Sequence, residues 1–258
     1  MNIIAKHEDI PVGVIGDIHE EFFLIKEKIK YYNLEDAVLF VAGDFGVGFF
    51  YNNPREIIKE KKRLEILNAF LRKRKIFLYI VRGNHDNPCL FDGKHNFSNL
   101  IFMEDYDVVE VGEHRILGIG GAISLDRKPN YNFPNLYGKN HKGRREGVNW
   151  WPNERIFYDE EKINTLAGID VVITHTAPDF VHPNILSEYV LKWIECDSEL
   201  KNELFEERAT VAKIYNKLSE LNYVKHWYYG HFHHSNCETY ELTKFRLLDI
   251  GEFAEIKI

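Results

Sequence analysis

The residues best suited to chemistry are two histidines near the C-terminus. His231 and His233 are separated by one residue and follow the apolar run Trp227-Tyr228-Tyr229. Histidines at this spacing, at the end of a buried strand, form a pair of metal ligands. Taken alone the motif is weak evidence, because buried histidines satisfied by hydrogen bonds are commoner than ligands. The interpretation therefore depends on the rest of the chain.

Four further segments place Asp, His or Asn directly after an apolar, strand-like run. They are Gly16-Asp17-Ile18-His19, Gly43-Asp44, Gly83-Asn84-His85-Asp86 and Thr174-His175. Ligands collect at the carboxyl ends of strands in a largely parallel sheet, so we expect these segments to converge on one polynuclear metal site. Mixed Asp, His and Asn ligation suits Mn, Fe, Zn or Ni better than calcium. A structural zinc site would use cysteine, which none of the segments contains.

The elements that position these residues alternate between strands and helices. Apolar runs predict strands at 11–15, 37–42, 76–81, 108–111, 115–119, 169–174, 224–229, 239–242 and 245–250. Helical spacing follows the first strand and recurs at 54–75 and 158–166. The early β-α repeats favour a largely parallel sheet covered by helices. A polar segment at 124–154 predicts a long functional or mobile loop. A mostly helical stretch at about 178–222 is interpreted as an insertion into a single domain, 1–258.

Composition indicates an ordinary globular protein. The chain has 258 residues, 45% of them hydrophobic, and a formal net charge of −7. This balance does not favour general affinity for nucleic acid or a membrane surface. No segment approaches the roughly 20 apolar residues of a transmembrane helix, and the acidic N-terminal segment is not a signal peptide. Cys89, Cys196 and Cys237 form no close pair, which predicts reduced thiols and a cytoplasmic location.

The ordered set of motifs resembles the calcineurin-like metallophosphoesterase superfamily, including its phage and bacterial members. The resemblance extends from 14 to 249, with all the motifs in the expected order. It implies an α/β fold, a four-layer αββα sandwich, with a dinuclear metal centre at the sheet edge. It assigns one metal ion to Asp17, His19, Asp44 and His233. It assigns the other to Asn84, His175 and His231, with Asp44 bridging both ions. Manganese is the expected metal, with iron, zinc or nickel as alternatives.

The implied activity is hydrolysis of a phosphomonoester or phosphodiester by a hydroxide bound to two metal ions. His85 would act as the general acid that protonates the leaving oxygen. Asp86 would orient the ring of His85, with a turn or cap role as the alternative. Arg127 is expected to clamp the substrate phosphate, and Arg144 and Arg145 are alternatives for that role.

The sequence leaves the substrate open among a phosphorylated small molecule, a nucleotide and a phosphoprotein. Protein serine/threonine phosphatases of the superfamily carry Asp-Arg-Gly shortly after the second motif. Here Gly43-Asp44 continues Phe45-Gly46, so that arginine is missing. The net charge disfavours a long polyanion, but the basic segment 139–145 leaves a nucleotide or nucleic-acid phosphodiesterase, or a nuclease, as an alternative. A catalytically silent scaffold is a further alternative, although such a protein would be expected to have lost ligands.

Overall fold

The computed structural model describes residues 1–49, 53–134 and 140–257, which form two central sheets and their flanking helices. The strands are β1 (Asn2–His7), β2 (Val12–Ile15), β3 (Ala37–Ala42), β4 (Ile76–Val81), β5 (Leu100–Phe102), β6 (Asp107–Val111), β7 (His114–Ile119), β8 (Asn130–Pro134), β9 (Asn140–His141), β10 (Val171–Thr174), β11 (His226–Tyr229), β12 (Asn236–Tyr240), β13 (Thr243–Leu247) and β14 (Phe253–Glu255). The α-helices are α1 (Phe23–Tyr31), α2 (Pro54–Lys73), α3 (Glu160–Asn164), α4 (Glu188–Ile194) and α5 (Leu200–Leu221), with a short 3-10 helix at Pro88–Leu90.

The strands build a five-stranded and a seven-stranded sheet. The smaller sheet has the order β14-β2-β3-β4-β5, and the larger has the order β1-β6-β7-β10-β11-β13-β12. Strands β2 to β5 pair in parallel, as do β7, β10, β11 and β13. The predicted strands 37–42 and 76–81 coincide with β3 and β4. Their continuous apolar sequences are typical of parallel strands that are covered on both faces.

The two sheets pack face to face, with helices on their outer faces. Val38 and Phe40 of β3 lie in the core between the sheets, together with Ile173 of β10. The alternate residues Leu39 and Val41 face the opposite way and pack in the core that includes α1 and α2. This alternation follows from the two-residue period of a strand. The architecture confirms the predicted α/β fold with its αββα layers.

The segment 178–222 contains α4 and α5, and α5 belongs to one of the layers. Its buried residues Ile214 and Leu218 pack in the same core as Trp227 and Phe245 of the seven-stranded sheet. The stretch interpreted as an insertion therefore supplies much of the outer helical layer of that sheet. In the described part of the chain, no helix combines the length and apolar character needed to cross a membrane.

Candidate metal centre

The predicted ligands come together where the strand ends of the two sheets meet. Candidate ligand atoms of Asp17, His19, Asp44 and His233 lie within 4.8 Å of one another. A second group at the same spacing contains His175, His231 and again Asp44. Asn84 joins it, since its Oδ1 lies 3.1 Å from Nε2 of His175. The loops after β2, β3 and β4 thus meet the loops after β10 and β11.

Two carboxylates of this cluster are removed from water. Asp17 is 0% exposed and Asp44 is 1% exposed. Within the described residues, the ion-pair partners of both are histidines, with neither lysine nor arginine among them. Although burial opposes its ionisation, His175 and its neighbours hold the pKa of Asp44 well below its usual range. Buried anions of this kind require a compensating cation, so the donor set fits bound divalent metal.

Hydrogen bonds orient His175 towards the cluster. Its Nδ1 lies 2.8 Å from the carbonyl oxygen of Ala42, and its Nε2 lies 3.1 Å from Oδ1 of Asp44. A backbone carbonyl at Nδ1 directs the other ring nitrogen to a metal. Burial opposes charge on His175, but Asp44 and Asp17 raise its pKa to about 10. A metal ion bound at Nε2 would displace the proton on that nitrogen.

Asn84 is also oriented by a neighbour. Its Nδ2 donates to Oγ of Ser124 at 3.1 Å, which directs the amide oxygen to the His175 side. Ser124 in turn donates its backbone N–H to Oε1 of the buried Glu154 at 2.7 Å. The sequence analysis did not identify Ser124 or Glu154, because both lie in the aperiodic segment 124–154.

His19 and His233 approach each other directly. Their Nε2 atoms are 2.9 Å apart, and Nε2 of His233 lies 3.2 Å from Oδ2 of Asp17. Two imidazole nitrogens and a carboxylate oxygen that converge on one point match the ligand types of a first-row divalent ion.

Four of the candidate ligands have strained backbone. The φ angles are 46° for His19, 47° for Asp44, 69° for His231 and 46° for His233. Residues other than glycine rarely adopt positive φ, at a cost of about 1–3 kcal/mol each. Hydrogen bonds between the loops hold these conformations. The carbonyl of Asp44 accepts the N–H of His19 at 2.7 Å, and Asp17 accepts the N–H of His231 at 3.1 Å.

Two glycines allow the close approach of these loops. Gly43 has a φ of 89°, and a Cβ at this position would overlap the ring of His175. A Cβ at Gly230 would overlap the carboxylate of Asp17. The glycines that precede Asp44 and His231 are therefore a steric requirement of the cluster.

His85 lies at the rim of the cluster. Its N–H donates to Oδ1 of Asp44 at 2.8 Å, and its Nε2 lies 3.9 Å from Oδ2 of the same residue. Phe49 stacks on the His85 ring, with centroids 4.7 Å apart and an interplanar angle of 8°. Nη2 of Arg144 lies 2.7 Å from Nε2 of His85. Arginine has no acceptor atom, so Nε2 accepts this bond and the imidazole is neutral. Burial lowers the pKa of His85 to about 3, with Arg144 adding to the effect and Asp44 opposing it.

Asp86 was expected to contact the ring of His85, but its carboxylate contacts backbone N–H groups. Its carboxylate accepts the backbone N–H groups of Phe45, Gly46 and Val47 at 3.2, 2.7 and 3.0 Å. It also accepts the N–H of Gly83 at 2.8 Å. Burial and the nearby Asp44 raise the pKa of Asp86 to about 6. Asp86 thus links the loop after β3 to the loop after β4, and the described contacts of its carboxylate do not include the His85 ring.

Arg127 also makes contacts that differ from the expected phosphate clamp. Its Nε lies 2.6 Å from Oδ2 of Asp197, and its guanidinium pairs with Glu203 on α5. It therefore ties the segment 124–154 to α5. Of the two alternatives, Arg145 is exposed, whereas Arg144 contacts His85. Arg144 was an alternative to Arg127 for binding the substrate phosphate, but the spacing of residues in the sequence does not distinguish the two arginines.

The fold and the cluster together define a class of protein. Aspartates and histidines at the carboxyl ends of strands from both sheets of an αββα sandwich are typical of a metal-dependent hydrolase. A sequence model described as calcineurin-like phosphoesterase matches residues 10–235. The chain belongs to this family and is a phosphoesterase, as the motifs predicted.

The crystal structure of phosphopantetheinyl hydrolase from Mycobacterium tuberculosis is similar, with a TM-score of 0.47 and 14% sequence identity. The similarity covers 95% of this chain and 90% of that chain. A comparison with curated protein sequences finds no match.

Proposed function

We propose that this phosphoesterase uses a dinuclear metal centre, held by Asp44 together with the six other candidate ligands. The supporting observation is that Asp44 belongs to both ligand groups. Asp17, His19 and His233 would hold one ion with Asp44. Asn84, His175 and His231 would hold the other. Manganese is the expected metal, with iron, zinc and nickel as alternatives of similar ligand preference.

When bound, two such ions would lower the pKa of a water molecule and would neutralise charge on the phosphoryl oxygens. The other requirements fall to the protein itself. Asp86 holds the Asp44 and Asn84 loops at a constant separation through its backbone hydrogen bonds. Ser124 and Ala42 set the orientation of Asn84 and His175. These contacts preorganise the ligands, which limits the reorganisation needed during reaction.

His85 is proposed to protonate the leaving group. The bond between phosphorus and the ester oxygen breaks as water supplies the new oxygen to phosphorus, and the departing oxygen takes a proton from His85. Nε2 of His85 is the ring atom near Asp44, so it is the atom best placed for this transfer. Because Nε2 accepts a bond from Arg144 in this structure, it carries no proton there. It becomes a donor only after that bond is released and Nε2 has taken up a proton from solvent.

The proposed substrate is a phosphorylated small molecule, nucleotide or phosphoprotein.

The three cysteines are free thiols, which supports the proposed cytoplasmic location.

The first test combines metal reconstitution with the substitution Asp44→Asn. Chelated protein is reloaded in turn with Mn, Fe, Ni and Zn and assayed on an aryl phosphate and a bis-aryl phosphate. We expect hydrolysis only with metal, and a loss of more than about 100-fold in Asp44→Asn, since both ions lose a charged ligand.

Asp92→Asn, outside the cluster, is the control and should retain activity. Full activity in Asp44→Asn would refute the proposed centre. Fewer than one ion per chain after reloading, together with no hydrolysis, would favour the scaffold alternative.

A further inference from the structure

Arg144 contacts two successive residues of the loop after β4. Its Nη2 donates to Nε2 of His85 at 2.7 Å, and its Nη1 lies 3.5 Å from the carbonyl oxygen of Asn84. The side chain is only 6% exposed although it comes from a polar segment. The guanidinium therefore lies at the rim of the metal cluster, on the side of the proposed proton donor.

Two neighbours hold this guanidinium in place. Its Nε pairs with the carboxylate of Asp126, and its central carbon lies 5.3 Å from the ring centroid of Phe49. The backbone N–H of Arg144 donates to the carbonyl of Arg127 at 3.1 Å, and Arg127 is itself paired with Glu203 on α5. The position of Arg144 thus depends on a continuous set of contacts that extends to α5.

Other arginines near the segment 124–154 have different partners. Arg127 pairs with two carboxylates. The buried Arg82 donates to the carbonyl of Glu154 at 2.7 Å and to Asp105 at 3.0 Å. Nη2 of Arg144 instead donates to a neutral ring nitrogen. A phosphate oxygen accepts a guanidinium N–H more strongly than a neutral imidazole does, because the bond is charge-assisted on both sides. A bound phosphate would therefore draw Nη2 away from His85.

We propose that Arg144 binds a charged non-bridging oxygen of the substrate and makes the site selective for phosphomonoesters over phosphodiesters. This inference rests on the proposed function. A monoester dianion has one more negative charge and one more charged oxygen than a diester monoanion. A single additional guanidinium at the rim therefore favours the monoester. The same movement of Nη2 frees Nε2 of His85 to take up a proton from solvent, which it then gives to the leaving oxygen. Substrate binding would thus be coupled to proton donation.

The test compares Arg144→Ala and Arg144→Lys with wild type and with Arg145→Ala. Arg145 is the next residue, is exposed and carries the same charge, so it is a matched control. Two quantities are measured on metal-loaded protein. The first is kcat/KM for an aryl phosphate and for a bis-aryl phosphate. The second is the Kd of inorganic phosphate from isothermal titration calorimetry, which does not depend on turnover.

We expect Arg144→Ala to lower kcat/KM for the monoester by about 10–100-fold and to weaken phosphate binding by a similar factor. The diester should lose less than about threefold, since it lacks the third charged oxygen. Arg144→Lys should show an intermediate loss, because a point charge replaces the planar donor. Arg145→Ala should match wild type in both measurements.

Equal losses on the two esters would overturn the proposal and assign Arg144 a structural role beside His85. Unchanged phosphate binding in both Arg144 variants would also overturn it. If wild type hydrolyses neither ester, the proposed function fails, but the phosphate Kd values still decide whether Arg144 binds the phosphoryl group.

Discussion

Asp86 illustrates how one buried carboxylate joins two loops of a candidate site through their backbone N–H groups. Its two oxygens accept four backbone N–H groups, three from residues 45–47 and one from Gly83. These residues flank the candidate ligands Asp44 and Asn84. A carboxylate is an acceptor at both oxygens, so it satisfies donors that approach from both loops. The separation of the two ligands therefore depends on a residue that is not itself a ligand.

The substitution Asp86→Asn replaces one acceptor oxygen by an NH2 donor that faces backbone donors. We expect the free energy of unfolding of the metal-free protein at pH 8 to fall by about 2–4 kcal/mol, because one or two buried N–H groups lose their partner. Urea denaturation measures the change.

Asp92→Asn is the comparison for Asp86→Asn. Asp92 also accepts a backbone N–H, that of Lys94 at 2.9 Å, but it lies at the surface, so the expected loss of stability is much smaller than in Asp86→Asn. Unchanged stability in Asp86→Asn, together with a displaced pH optimum of hydrolysis, would contradict this prediction and would instead support the expected role of orienting His85.

Helix α5 connects the outer layer of the larger sheet to the metal cluster. Glu207 on this helix is 5% exposed and interacts with Thr176, the residue after His175, and with the backbone of Ile123. Burial raises the pKa of Glu207 to about 7. A carboxyl group on α5 thus supports two loops that carry or flank candidate ligands.

This raised pKa predicts a pH dependence of stability. Since the folded pKa lies above the ordinary glutamate pKa of 4.5, the native state binds the proton more tightly than the unfolded state does. Its contribution to the free energy of unfolding is present below about pH 4.5 and is lost as the pH rises to about 7. Between pH 5 and 8 the loss should be about 2–3 kcal/mol.

Glu207→Gln should remove this contribution, because glutamine resembles the protonated carboxyl at every pH. Urea denaturation of metal-free wild type and variant at pH 5 and pH 8 measures the difference between them. Glu206→Gln, at an exposed neighbouring position of α5, controls for the loss of one charge. The prediction would be contradicted if the free energies of unfolding of wild type and Glu207→Gln differed by the same amount at pH 5 and at pH 8.

The metal cluster spans the two sheets of the sandwich. Asp17, Asp44 and Asn84 follow strands of the five-stranded sheet, whereas His175 and His231 follow strands of the seven-stranded sheet. A cation bound among them would therefore link the two halves of the molecule. Only the folded chain brings these donors together, so binding adds directly to stability.

Removal of metal should lower the melting temperature. A ligand at 100 times its Kd stabilises the native state by about 2.7 kcal/mol per site, which corresponds to roughly 5–10 °C for a chain of this size. Calorimetry of chelated and manganese-loaded protein measures the shift. Asp44→Asn should lose most of it, and Asp92→Asn should retain it. If wild type had the same melting temperature with and without metal, the prediction that bound metal links the two sheets would be contradicted.

Much of this organisation was predictable because it depends on local sequence. β3 and β4 are continuous apolar runs; Gly43-Asp44 follows β3 directly, and Arg82-Gly83-Asn84 follows β4. Such runs determine both the strand and the place where it stops, so the candidate ligands could be identified before the fold was seen. The short edge strands β1, β5 and β14 were not predicted. β1 lacks a fully buried residue, and an exposed edge strand shows no apolar run.

The tertiary structure decided the contacts that join distant segments. Arg127 and Arg144 lie in one aperiodic segment, and the local sequence does not rank them. Arg127 pairs with Asp197, which is 70 residues away along the chain. Arg144 instead contacts His85, which is 59 residues away. The amides bound by Asp86 include three that are 39–41 residues distant. Local sequence thus determined which residues are available for chemistry. Packing of the loops against α5 decided which of them act together, because side-chain partners depend on distances that only the folded chain sets.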